Sequence, residues 1–226
     1  MVAVLVQRKA NGFRTPGATM RIAVFGATGS IGRHVVEQAF ERGYEVTVLT
    51  RDAGRAAWTG PRPHVVEGNV LDPDAVERTV AGQDAVLVTL GNGRKGVVRA
   101  EGTRQVIAAM ERHGVKRLVC QSTLGAGDSR GNLDFLWKYI MFGLLLRPAH
   151  ADHEQQEEYV RAADLDWTIV RPSAFTDGPR TGNYRHGFAA DERGLDLKIS
   201  RADIAEFLLD QVTDRTYLHK TPGISN

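Results

Sequence analysis

Three glycines spaced three apart, Gly26, Gly29 and Gly32, follow an apolar run over residues 22–25 and lead into an amphipathic stretch. Such residues act through their backbone: they allow a tight reversal, let the main chain approach a phosphate, and let a helix pack against a strand. A helix that begins there aims its unpaired N–H groups at an anion. The turn, with Thr28, Ser30 and Ile31 between the glycines, therefore reads as a dinucleotide-pyrophosphate site. Its Gly-x-x-Gly-x-x-Gly spelling also suits an ordinary structural turn, so the surrounding elements must carry the assignment.

Further polar groups recur where strands should end. Arg51 follows the second expected strand, 44–50, at a place where a cation can hold the 2′-phosphate of NADP and an acidic residue would instead bind the ribose hydroxyls of NAD. Asn69 could bond an adenine edge while Val70 covers its face, or serve a plain turn. Leu90 and Gly91 open the loop 91–96, whose Arg94 and Lys95 could meet a phosphate or an acidic substrate, or be solvated. Ser122 ends a fifth apolar run and could orient a reacting group or cap a helix. His153, Gln156 and Glu157 share one helical face by the i, i+3, i+4 rule. Such a face pointing inward is costly unless it is used.

Positioning these groups requires alternating strands and helices. Strands are expected over 22–25, 44–50, 64–71, 84–90, 117–121 and 167–172, with a late one over 195–199. Helices are expected over 30–40, from Asp72 as N-cap with Pro73 in the first turn, over 97–113, 152–163 and 204–212. The pattern predicts an α/β fold, a single doubly wound parallel sheet in the order 3-2-1-4-5-6, with room for a seventh strand. Residues 133–146 crowd Phe135, Leu136, Trp137, Tyr139, Ile140, Met141, Phe142 and Leu144 to Leu146 into a run shorter than the roughly 20 residues of a membrane span. Core helix, subunit contact between two copies, and substrate lid are all compatible with it.

The 226 residues suffice for one domain with a substantial core, and the division expected is a dispensable extension over 1–19 followed by the nucleotide-binding domain over 20–226. A tail, an alternative start at Met20, or an added edge strand each suits 1–19. A net charge of +2 argues against a nucleic-acid footprint. A single cysteine, Cys120, excludes an intrachain disulfide and suits the reducing cytoplasm. No metal site is expected.

Together, Gly26-Ala-Thr-Gly-Ser-Ile-Gly32, Gly43-Tyr-Glu-Val-Thr-Val-Leu-Thr-Arg-Asp52, Thr79-Val-Ala-Gly-Gln-Asp-Ala-Val86 and Asp166-Trp-Thr-Ile-Val-Arg-Pro172 resemble the atypical short-chain dehydrogenase/reductases, in the NmrA-like NAD(P)H-binding branch that includes flavin reductases. The resemblance runs from about Met20 to the C-terminus. It implies that Arg51 holds a 2′-phosphate, that Ser122 is the active-site serine, and that Arg94 is the basic residue after the fourth strand. It also implies NADPH ahead of NADH, and a small-molecule acceptor. The chain departs from the family's Tyr-x-x-x-Lys pair: Ala149 falls at the tyrosine position and His153 at the lysine position. Asn69 stands where an aspartate is usual. Hydride transfer to a flat conjugated acceptor, such as a flavin, quinone or tetrapyrrole, needs less from a protein acid, and solvent or His153 could supply the proton. A nucleotide-bound regulatory protein without turnover is the alternative.

Overall fold

The computed structural model describes residues 19–55, 58, 60–93 and 96–226. The extension expected over 1–19 lies outside the described residues but for Thr19, as do Arg94 and Lys95.

The chain alternates strand and helix in its first half: β1 (Arg21–Phe25), α1 (Gly32–Glu41), β2 (Glu45–Thr50), β3 (His64–Glu67), α2 (Pro73–Val80), β4 (Ala85–Val88), α3 (Val98–His113) and β5 (Arg117–Gln121). A 3₁₀ turn (Gly127–Asn132) and a π-wound segment (Leu136–Leu145) then lead into α4 (Arg147–Ala162) and β6 (Asp166–Pro172). The remainder comprises β7 (Ala174–Thr176), β8 (Arg185–His186), β9 (Lys198–Ser200), α5 (Arg201–Thr213) and β10 (Gly223–Ser225). The main sheet runs β3-β2-β1-β4-β5-β6-β10-β8, parallel except for β8. The expected order of the first six strands is thus observed.

Continuously apolar strands belong in a sheet covered on both faces. Ile22 and Val24 face α1 and α5, whereas Ala23 and Phe25 face α2, α3 and α4, so one strand feeds two cores. Asp72 caps α2, accepting from the Asp74 N–H at 3.1 Å with Pro73 in the first turn. Ser200 caps α5 in the same way through Asp203.

Three elements differ from the sequence expectation. The late strand is shorter, Lys198–Ser200, and pairs with β7 in a separate two-stranded ribbon; the added strand of the main sheet is β10 beside β6. The helix expected to start near Asp152 begins at Arg147, because Pro148 suits a first turn where no N–H is needed. Before it, the apolar run winds with i→i+5 bonds, Leu146 N–H donating to Met141 O at 2.7 Å. Much of its surface faces solvent, so it is not a core helix.

Candidate nucleotide and acceptor site

At the end of β1 the chain reverses through Gly26, whose φ is +88°; a Cβ there would stand 2.4 Å from the Thr89 carbonyl oxygen. Gly29 N–H closes the turn on Gly26 O at 2.9 Å. A Cβ on Gly32 would lie 2.2 Å from that same oxygen, so only glycine lets α1 start this close to the strand. The first turn of α1 has neither a side-chain cap nor an acidic residue, and Thr28, Gly29 and Ser30 are exposed while Ile31 is buried beneath. An open, uncapped helix start beside a glycine turn fits a pyrophosphate.

Arg51 stands exposed one residue past β2 and, among the described residues, has no ion-pair partner. Asp52 is turned away into its own loop, accepting from Gly54 N–H at 2.9 Å. Arg33, which the sequence reading passed over, is exposed in the first turn of α1, with Nε donating to Thr28 O at 3.3 Å. Its signal was a cation immediately after the third glycine. Asn69 Oδ1 accepts from Leu71 N–H at 3.1 Å, so that oxygen shapes the turn. Val70 is mostly buried and packs on α3: a Cβ on Gly102 would come within 2.9 Å of its methyl. Leu90 packs on the same glycine, half-buried, and Gly91 is exposed.

Beyond the carboxyl ends of β5 and β6 lies a cavity of about 330 Å³. Thr123, Trp137, Phe142, His150, His153 and Ser173 are among the residues that line it. Ser122 is not: its residue is fully buried and its Oγ has no partner. Its N–H donates to Val170 O at 2.7 Å, which ties β5 to β6. Reaching from the strand end into the cavity is therefore open to Thr123, and Ser122 in this conformation is sealed beneath it. Cys120, also buried, has its thiol pKa pushed up by burial and is no nucleophile.

The sequence model of a family described as NAD(P)H-binding matches residues 26–215, from the glycine turn to beyond α5. The chain belongs to that family. An uncharacterised chloroplastic protein of Arabidopsis thaliana is 28% identical over 179 residues, 73% of this chain and 62% of its own length. The chain thus spans less than two thirds of that relative. A short-chain dehydrogenase/reductase of Veillonella parvula, solved with NADP, superposes with a TM-score of 0.77 at 19% identity, covering 92% of this chain and 95% of that one. The anaerobilin reductase ChuY of Escherichia coli O157:H7 superposes at 0.74 with 21% identity, covering 91% and 97%. These likenesses bear on the fold.

In this NAD(P)H-binding protein the polar face of α4 is turned inward and used. Asp152 accepts from the Arg99 and Ala100 N–H groups at 3.1 and 3.0 Å, capping α3, and pairs with the Arg99 guanidinium. Gln156 Nε2 donates to Thr103 Oγ1 at 2.9 Å, which turns its Oε1 toward His153 Nδ1 at 3.3 Å. With Nδ1–H donating to that oxygen, Nε2 is left as an acceptor. Burial, helped by the nearby Arg99 charge, pushes the His153 pKa down to about 3. His153 is thus neutral at physiological pH and can accept a hydrogen bond, but it does not hold the proton that an imidazolium acid would give.

A stability consequence follows. Because the folded pKa lies below the ordinary histidine value of about 6.5, the unfolded chain takes up this proton first as pH falls. His153 therefore costs stability below about pH 6.5, on the order of 1 kcal/mol between pH 7 and pH 5 after discounting for a half-buried ring. Urea midpoints at the two pH values should show this loss in the parent and less of it in His153→Gln. An equal loss in both would contradict the neutral assignment.

Proposed function

We propose that this protein is an NADPH-dependent reductase that passes hydride to a flat conjugated acceptor. The observation that carries the reading is the composition of the cavity: aromatic and aliphatic walls with Thr123, His150, His153, Ser173 and the cations Arg99 and Arg201, and no tyrosine or lysine among its described lining residues. Without a phenol made acidic by a lysine, an alkoxide-generating ketone reduction lacks its acid. A quinone, flavin or tetrapyrrole delocalises the incoming charge and takes its proton from water.

The residues present fit the cofactor. Gly26, Thr28, Gly29, Ser30, Ile31 and Gly32 would hold the pyrophosphate. Arg51, with Arg33, would hold the 2′-phosphate. Asn69 and Val70 would border the adenine, and Leu90 and Gly91 the nicotinamide side, with Arg94 from the same loop. Bound NADPH supplies the hydride. Thr123 Oγ1 donates a hydrogen bond that orients the acceptor, His153 Nε2 accepts one from the reduced product, and the aromatic wall packs on its ring.

An acceptor panel of flavins, quinones and tetrapyrroles, run with NADPH and NADH in parallel, tests this. Arg51→Ala should raise the KM for NADPH roughly tenfold or more, the loss of one charged hydrogen-bonding partner, and leave NADH little changed. Equal losses for both nucleotides would remove Arg51 from the 2′-phosphate. The sealed Ser122 hydroxyl and the missing Tyr-Lys pair favour a second reading, a nucleotide-bound regulatory protein. Tight NADPH binding by calorimetry with no oxidation across the panel would establish that one instead.

A further inference from the structure

The π-wound segment has two faces, and i, i+5 spacing sorts its residues between them. Trp137 and Phe142, five apart with ring centroids 5.8 Å from each other, turn inward and line the cavity together with Leu133 and Leu146. Phe135, Ile140 and Leu145 form one outward row at the same spacing, and Tyr139 and Leu144 another. Phe135 is 72% and Leu144 73% exposed, and Leu136 joins them. Six of the nine large apolar side chains that stand exposed on the described surface therefore sit in this one segment. A contiguous apolar patch of this kind marks a contact surface.

We infer that this face docks onto the surface of an anionic lipid bilayer, and that the acceptor enters the cavity from that bilayer. Charge selects lipid as the occupant. Lys138 lies within the segment and Arg147 just beyond it, with Arg130 exposed shortly before, and no acidic residue occurs between Phe135 and Ala151. Aromatic and leucine side chains flanked by cations are the composition of an interfacial helix, which lies in the headgroup region and is drawn there by anionic lipids. Asp134 opens the segment but is engaged, accepting from Trp137 N–H at 2.8 Å. No described helix is long and apolar enough to cross a bilayer.

Continuity with the cavity selects the substrate. The outward rows and the inward pair belong to the same turns of one short element, so a molecule leaving the acyl region meets Trp137 and Phe142 next. The acceptor class is then a lipid-soluble, flat conjugated molecule of quinone type. This second half rests on the reductase reading, whereas the docking does not.

Flotation of the full chain with phosphatidylcholine vesicles, with and without one quarter phosphatidylglycerol, tests the docking. Binding should be roughly tenfold stronger to the anionic vesicles. It should fall to background in Phe135→Asp/Leu144→Asp, and drop toward the neutral-vesicle level in Lys138→Gln/Arg147→Gln, each variant keeping the parent's thermal midpoint. No binding to either vesicle would overturn the proposal. So would a solution dimer that Phe135→Asp/Leu144→Asp dissociates, since a second copy of this chain would then cover the face. With docking established, NADPH oxidation by menaquinone dissolved in the vesicles should exceed that in detergent-free buffer at least fivefold. Docking without oxidation of NADPH by any acceptor would overturn the reductase reading and leave the membrane contact standing.

Discussion

Replacing Glu157 by alanine should lower stability by about 3–5 kcal/mol, the cost of stranding a buried charge. Glu157 is almost wholly buried on α4 and accepts from Arg171 Nε and Nη2 of β6 at 2.9 and 2.7 Å, and from Arg161 Nη2 at 2.5 Å. Arg171 is itself buried, and its remaining carboxylate partner, Asp128, is largely exposed. Burial alone would weaken the Arg171 charge; the Glu157 hydrogen bonds and charge, with Asp128, more than offset it and hold its pKa above the ordinary value. The urea midpoint should fall accordingly for Glu157→Ala. The double variant Glu157→Leu/Arg171→Met should recover most of the loss, because an apolar pair removes the stranded charge as well as the bridge. A single variant within 0.5 kcal/mol of the parent, roughly the scatter of a neutral surface change, would show that the pair contributes little.

The second large effect is expected at Gly32. An alanine methyl would have to occupy a point 2.2 Å from Gly26 O and 2.8 Å from Ala27 Cα, both backbone atoms of the turn. Either α1 moves out or the turn opens, at a cost of about 1–3 kcal/mol, and each movement spoils the N–H array proposed to face the pyrophosphate. NADPH affinity by calorimetry should drop roughly tenfold to hundredfold. Gly43→Ala is the matched control. Its φ of +72° strains an alanine, but nothing lies within 4 Å of the new Cβ and the residue is on the far side of α1 from the turn. It should lose about 1 kcal/mol of stability and no affinity. If both variants bound NADPH as the parent does, the glycine turn would have only a structural part.

Local signals were legible in the chain. Apolar runs of three or four residues marked β1, β4 and β5 because the middle of a strand covered on both faces must be apolar, and Asp72-Pro73 marked the start of α2 because a cap and a missing N–H act within one turn. The glycine triplet was legible for the same reason: positive φ and close approach are properties of three residues. Arg33 could have been found by asking which cation follows the third glycine. By contrast, β3 and β4 stop short of the apolar composition at their ends, since pairing decides where a ladder stops.

What the sequence determined by itself was the alternation of strands and helices and a tight glycine turn after the first strand, both consequences of periodicity and backbone freedom; the order of the six central strands followed from the fold class that these suggest. Only the tertiary structure decided the state of the site residues. Ser122 is wholly buried, with its N–H held by Val170 of β6, some fifty positions away in the chain. His153 is neutral because folding buries it beside the Arg99 charge of α3, while Gln156, oriented by Thr103, fixes which ring nitrogen keeps the proton. The apolar run at 135–145 divides into an inner and an outer face only once π winding and the cavity are both present. Burial and charge depend on neighbours distant in sequence, and those neighbours meet only in the folded chain.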